Sequence, residues 1–482
     1  MEYKIKGLQP ETLFRFFEDI SAIPRGSGNE AAISDHLAAF ARERGLWVHQ
    51  DASHNVIIKK PASPGAEDKA PVMMQGHLDM VCEKRAGVDH DFEKEGLDLI
   101  VEDGVLRANG TTLGGDNGAA VAVMMAILDS DPLQPPPLEC VFTVSEEVGL
   151  VGAKALDYSL LDARTMINLD SEEEGVATVS CAGGMRYALV RPAEREEAHG
   201  FPLSLGVSGL LGGHSGSDID KERGNANKIA ARVLYAIAKE MKVNLVSMDG
   251  GMMMNAIPRE CDAVAAVADA AKAAEIAAEV EKKVKSELEF SDPGLTITLE
   301  PAAAPAEMIC DGDSDAFLKM LYLMPAGLVA KSMALEGLTV ASQNLAAVKT
   351  QEDGRLYILY SLRSSVNSFL DDMGEKIDLL CHVFGAEAIF RPGFPTWEYT
   401  AKSELRDMLA KAYKELTGKE MKVEATHGGL EGGAFLSKMP GLDIAAIGCD
   451  ATGAHTPQEQ LDLNSYKRMV DLVARVLEMM CE

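Results

Sequence analysis

None of the eight cysteines pairs with another as CxxC, and they scatter from Cys82 to Cys481. A thiolate zinc site is therefore not expected, and their even number says little for disulfides in so long a chain. No run of about 18 apolar residues occurs, so no membrane-crossing helix and no membrane partner are expected. Met1 to Lys6 carry charge with no apolar run behind them, so a leader peptide is not expected either. Positive charge is in deficit. The 46 basic and 75 acidic side chains leave a net charge of -29, which repels a polyanion and argues against nucleic acid as a partner. HExxH and GxSxG are absent, and Gly26-Ser27-Gly28 lacks the rest of a dinucleotide fingerprint. Zincins, serine hydrolases and Rossmann enzymes are thereby disfavoured. No repeat period accompanies the 43 glycines, which excludes collagen and solenoids. A reducing, cytoplasmic setting is the expectation.

Apolar residues make up 47% of the 482 positions, enough for more than one core, so at least two domains are expected. Leu13, Phe16, Phe17 and Ile20 fall on one face of a predicted helix over Gln9 to Ile20. A second helix is predicted over Glu30 to Arg44, and strands over Trp47 to Gln50, Asn55 to Lys59 and Val72 to His77. Next come an Ala-rich helix over Gly118 to Leu128, a strand over Leu138 to Val144, a helix over Gly152 to Leu160 and a strand over Thr165 to Leu169. This alternation predicts an α/β unit with a mixed, largely parallel sheet. After about Cys181 the texture becomes α+β, and Pro392-Gly393-Phe394-Pro395 reads as a boundary before α/β texture returns. The expected organisation is an α/β domain over 1–189 and 397–482, interrupted by an inserted α+β domain over 190–396. Two continuous domains are the alternative.

Imidazoles and carboxylates gather at strand ends and in Gly-rich turns. These are His77 and Asp79, Asp116 in Gly114 to Gly118, Glu146 and Glu147, Asp170 after Ile167 to Leu169, and His455 in Gly453 to Pro457. Ligands of open α/β sheets collect beyond the carboxyl ends of strands. Any one of these residues reads more simply as a turn, a cap or a surface group. Together they favour a hydrolase using divalent metal, since imidazole and carboxylate suit an ion of intermediate hardness.

With these motifs in place, the chain resembles the M20 metallopeptidases, and within them the aminoacyl-histidine dipeptidase group. The resemblance runs over nearly the whole length. It is carried by Ile23 to Glu30, the His77/Asp79 motif, Thr112 to Gly118, Ser145 to Leu150, Leu169 to Glu172 and His455-Thr456-Pro457. It implies two divalent ions, zinc first and manganese or cobalt as alternatives. His77 and Asp170 would ligate one ion, Glu147 and His455 the other, and Asp116 would bridge both. Asp79 would align His77, and Glu146 would be the general base.

The resemblance also makes the insertion a lid. Gly213-His214-Ser215-Gly216 would bring an imidazole to the substrate or transition-state oxygen, although by itself it reads as a flexible turn. Asn255 and Arg363 would hold the substrate carboxylate, and His427 and Glu431 would contact substrate at the cleft rim. Relatives often carry Cys after Leu-Glu, where this chain has Gly432. The implied reaction is hydrolysis of short unblocked peptides, Xaa-His dipeptides including β-alanyl-histidine or a broader cytosolic set, with a homodimer as a possible assembly. An N-acyl amino acid amidohydrolase of the same family and a catalytically inactive binding homologue are the alternatives.

Overall fold

The computed structural model describes residues 3–130, 133–335, 337–351 and 353–482. The chain divides into two compact units. One takes the chain through Cys181, then Tyr399–Thr426 and Leu430–Glu482; the other comprises Ala182–Glu398 with His427–Gly429. The second unit is thus an insertion in the first.

The first unit is built on an eight-stranded mixed sheet. Its order is Trp47–Gln50, Val56–Lys60, Leu138–Thr143, Val72–His77, Thr165–Asn168, Asp443–Ala446, Val176–Cys181 and Lys422–Thr426. Four of its seven neighbouring pairs are parallel, among them both partners of Val72–His77. All six residues of that central strand are buried, which is why Val72-Met73-Met74 has no polar alternation. Helix Gly115–Asp129 is apolar on every face, and of its residues only Asp116 and Asp129 are not buried. It packs on Val72–His77, on helix Glu11–Ser21 and on helix Leu463–Met479. A Cβ at Gly76 would lie 2.6 Å from Ala120 Cβ, so glycine lets this strand and helix meet closely.

A smaller four-stranded sheet pairs Ala451–Thr452, Gln460–Asp462, Val105–Ala108 and Leu99–Glu102 in that order. It pins both ends of the loop carrying His455. The helix expected over Gly152 to Leu160 is in fact two pieces. Helix Val151–Ala155 stops where Leu156 turns extended, and a 3₁₀ turn at Tyr158–Leu160 starts under an Asp157 cap on Ser159.

The second unit is a nine-stranded antiparallel sheet. Eight strands run in the order Thr296–Pro301, Phe201–Ser208, Cys261–Val267, Val243–Gly250, Thr339–Thr350, Leu356–Ser364, Gly183–Arg191 and Glu387–Phe394, and Gly327–Lys331 pairs with Thr339–Thr350. Helices Ala226–Ala238, Ala270–Glu287, Asp311–Leu323 and Asn367–Phe384 bury their apolar faces in its core. The unit's main run ends at Glu398, shortly after the Pro392-Gly393 segment. Strand Glu387–Phe394 runs through it at the sheet's edge with a register shift, where a missing N–H costs little. Among the described residues no helix is long and apolar enough to cross a membrane.

Candidate metal centre

The central strand of the first unit ends in His77, whose side chain is 1% exposed. Its Nδ1 lies 3.1 Å from the Asp79 main-chain oxygen and 3.3 Å from Asp79 Oδ1. A proton on Nδ1 is thereby satisfied, which leaves Nε2 to face Asp116 Oδ1 at 3.0 Å. The other Asp116 oxygen lies 3.1 Å from His455 Nε2, and that nitrogen is 2.9 Å from Glu147 Oε1. One carboxylate therefore stands between two imidazoles. Asp170, after strand Thr165–Asn168, closes the first group at 3.8 Å from His77 Nε2 and accepts from Asn117 Nδ2 at 2.7 Å.

Ligand atoms of His77, Asp116 and Asp170 lie within 4.8 Å of one another, as do those of Asp116, Glu147 and His455. A third such group joins His77, Glu146 and Glu147. The four elements expected to converge do so, and the loop carrying His455 joins them.

Electrostatics show what the cluster is built for. Burial and the neighbouring carboxylates Asp170, Glu431 and Glu147 push Glu146 up to about 9, against the pull of His77. Burial and Asp116 push Asp170 up to about 6, against His77. Burial and Asp116 likewise push Glu172 up to about 7. Hydrogen bonds that its ring donates to Asp116 and Glu147 hold His455 up to about 11. His77, despite burial, is held well above its usual value by Asp116 and Asp79. So many carboxylates gather a positive charge, and a divalent cation supplies it in place of the imidazole protons. Two imidazoles and three carboxylates, with Asp116 shared between the two groups, suit two such ions. This cluster is a dinuclear divalent-metal site.

Beneath it runs a buried polar network. Asn168 Nδ2 donates to Gln75 Oε1, and Gln75 Nε2 and Thr143 Oγ1 both donate to Glu431 Oε2. Glu431 is 0% exposed, which takes it off the rim where the sequence reading placed it. It opens helix Glu431–Lys438 and points into the sheet. Burial pushes it up to about 7.

The other expected substrate residues belong to the second unit. His214 Nδ1 accepts the main-chain N–H groups of Gly216 at 3.2 Å and Ser217 at 3.3 Å. Its proton is therefore on Nε2, available to an oxygen acceptor. The Ser215 N–H donates to the Asn255 carbonyl at 2.7 Å, tying those two loops together. Arg363 packs over the Phe394 ring and donates to the His427 carbonyl at 3.3 Å. Burial and the nearby Arg186 lower it to about 10, which leaves it charged at neutral pH. His427 is buried, with Nε2 2.7 Å from Ser342 Oγ; burial and Arg363 lower it to about 4.

A cavity of about 340 Å³ also lies in the second unit, but its cations are already held. Lys228 donates to the Leu321 and Tyr322 carbonyls, and Arg232 pairs with Glu287. The chemistry lies at the cluster instead.

Sequence reading passed over four supporting groups in the first unit. Arg25, Glu30 and Glu459 are buried, and Ser27 donates to Asp79 Oδ2 at 2.8 Å. Arg25 donates to the Leu78 carbonyl at 3.0 Å and to that of Gly114, while Glu30 accepts both the N–H and the hydroxyl of Ser145. The one available signal was that Arg25, Ser27 and Glu30 lie inside the Ile23 to Glu30 motif and Glu459 just after His455-Thr456-Pro457, because nothing in a sequence shows which backbone a side chain reaches.

The model of peptidase family M20/M25/M40 matches residues 73–479. The chain is 33% identical to the cytosol non-specific dipeptidase of Escherichia coli K12, over 98% of this chain and 99% of that protein. The crystal structure of aminoacylhistidine dipeptidase from Vibrio alginolyticus superposes with a TM-score of 0.93 at 32% identity, covering 98% of this chain and 97% of that one. Aminopeptidase PepT from Bacillus cereus shares the fold at a TM-score of 0.58 and 16% identity, over 98% and 99% of the two chains. From the motifs, the cluster and these likenesses, the chain belongs to peptidase family M20/M25/M40.

Proposed function

We propose that this protein is a metal-dependent dipeptidase of the cytoplasm, acting on free-amine dipeptides that include Xaa-His, within a broader set. The observation that carries the reading is Asp116 set between His77 and His455. The names of the two relatives matched nearly end to end add the substrate class. His77, Asp116 and Asp170 would hold one cation, and Asp116, Glu147 and His455 the other. Zinc is the first choice, and manganese or cobalt meets the same donor set. When bound, the two ions supply Lewis-acid polarisation of the scissile carbonyl and a nucleophile at neutral pH.

The chain's own groups do the rest. A carboxylate oxygen of Glu146 takes the proton of the attacking water and delivers it to the leaving amine nitrogen. Glu146 belongs to the same cluster as His77 and Glu147, and cations held there would keep its carboxylate ionised and able to take the proton. Asp79 keeps His77 in the tautomer with Nε2 free. In the inserted unit, which we assign as the lid, His214 Nε2–H would donate to the substrate's carbonyl oxygen. Arg363 and Asn255 would hold the terminal carboxylate, with His427 fixing Arg363 through its carbonyl. A homodimer is part of this reading.

The test is a substrate panel on purified protein, before and after chelation and metal restoration. Chelator-sensitive cleavage of free Xaa-His and other dipeptides, with N-acetyl amino acids left intact, is the expected result. Cleavage of the N-acetyl compounds alone would contradict it.

A further inference from the structure

Asp116 is held through its backbone as well as its side chain. Glu459, 3% exposed, accepts the N–H groups of Leu113 at 2.7 Å and Gly114 at 2.9 Å on one carboxylate oxygen. Its other oxygen accepts the N–H of Asp116 at 3.2 Å. These amides form the turn that opens helix Gly115–Asp129, with Gly114 at φ +64°. A Cβ on Gly115 would come within 3.2 Å of Glu459 Oε1, so glycine there leaves room for the carboxylate. On the carbonyl side of the same turn, buried Arg25 donates to Gly114. An anion therefore grips the amides while a cation grips the carbonyl.

Glu459 belongs to the loop of His455. Its N–H donates to the Thr456 carbonyl at 3.1 Å, and the Thr456 N–H donates to Gly453 at 3.1 Å. The loop that presents one imidazole thus also fixes the backbone of the carboxylate facing that imidazole. An ordinary helix cap comes from the residue just before the helix and reaches one amide. Glu459 comes from more than 300 residues away and takes three, including that of Asp116 itself.

We propose that Glu459 is a positioning residue that sets Asp116 in register with His455, so that one carboxylate serves two cations. The inference rests on Asp116 being the shared ligand. Glu459 touches neither substrate nor reacting atoms. Register matters because a ligand displaced by about 0.5 Å no longer meets the geometry its ion requires.

The experiment compares Glu459→Gln with Glu139→Gln. Glu139 is a buried carboxylate outside the cluster, accepting the amides of Asp162 and Ala163 at 3.0–3.1 Å and pairing with Lys59 at 2.7 Å. A carboxamide has one oxygen, so E459Q must face an amide group toward at least one backbone N–H. Zinc or manganese is titrated into chelator-stripped protein, release to chelator is timed, and Tm and dipeptide kcat and KM are measured alongside. E459Q is expected to bind the ions tenfold to a hundredfold more weakly and release them faster, with kcat falling and KM changing little. E139Q is expected to lower Tm and leave metal binding intact. Glu459→Asp and Gly115→Ala, which crowds the same carboxylate, are expected to weaken binding in the same direction, and they decide the matter if E459Q does not fold. Wild-type affinity and release in the folded variants, with Tm lowered as in E139Q, would overturn the proposal. Failure of the wild type to cleave dipeptides would count against the activity reading and leave this metal-binding comparison standing.

Discussion

Asp79 holds Glu146 by its backbone: one Asp79 oxygen accepts the Glu146 N–H at 3.0 Å, while the other faces the Glu147 N–H at 3.3 Å. The same carboxylate faces His77 Nδ1. A single side chain thus fixes the strand end that carries one imidazole and the turn that carries both glutamates.

Asp79→Asn is therefore expected to damage two things together. Metal affinity falls by about tenfold to a hundredfold, and kcat falls further because the Glu146 turn loses an anionic acceptor. Metal titration and steady-state kinetics on one preparation check this. A loss of kcat with unchanged affinity would show that the hold on His77 is unimportant.

Glu146→Gln separates chemistry from metal binding. The carboxamide keeps the shape and cannot take a proton. We expect a fall of about 10²–10⁴ in kcat, with metal content and KM near those of the wild type. Elemental analysis beside the assay reads both.

Gly76→Ala tests the close approach beneath the site. Its Cβ would meet Ala120 Cβ at 2.6 Å and Asn117 Oδ1 at 3.2 Å. Strand or helix must shift, at a cost of about 1–3 kcal/mol. Urea unfolding of the metal-loaded protein measures it, and a change under about 0.5 kcal/mol would contradict the packing described.

Chelated protein should lose stability as pH rises from 6 to 9. Glu172 and Glu431 at about 7, Glu146 at about 9 and His455 at about 11 all sit above their unfolded values. In this window the folded state binds more protons than the unfolded one, so each rise in pH favours unfolding. Bound cations replace those protons, and the metal-loaded protein should show a flatter profile and a higher Tm. Thermal melts of both forms at several pH values decide it.

Much of this was legible in residue order. Val72–His77 read as a strand from its apolar run of strand length, and His77, Asp116, Glu147, Asp170 and His455 stood where strand ends and Gly-rich turns place ligands. The small sheet of Leu99–Glu102, Val105–Ala108 and Gln460–Asp462 was not legible, because strands of three or four residues carry no period and their partners lie far along the chain. Glu431 misled for a related reason. A glutamate after a Gly-Gly turn reads as exposed, and only the fold reveals Gln75 and Thr143 waiting to donate to it. Glu459 and Arg25 act on main-chain atoms, whose location a sequence does not encode.

The most direct test is a crystal structure of zinc- or manganese-loaded protein with anomalous scattering recorded at the metal edge. The account predicts two peaks flanking Asp116, one against His77 and Asp170 and the other against Glu147 and His455. A single peak, or peaks away from Asp116, would contradict it.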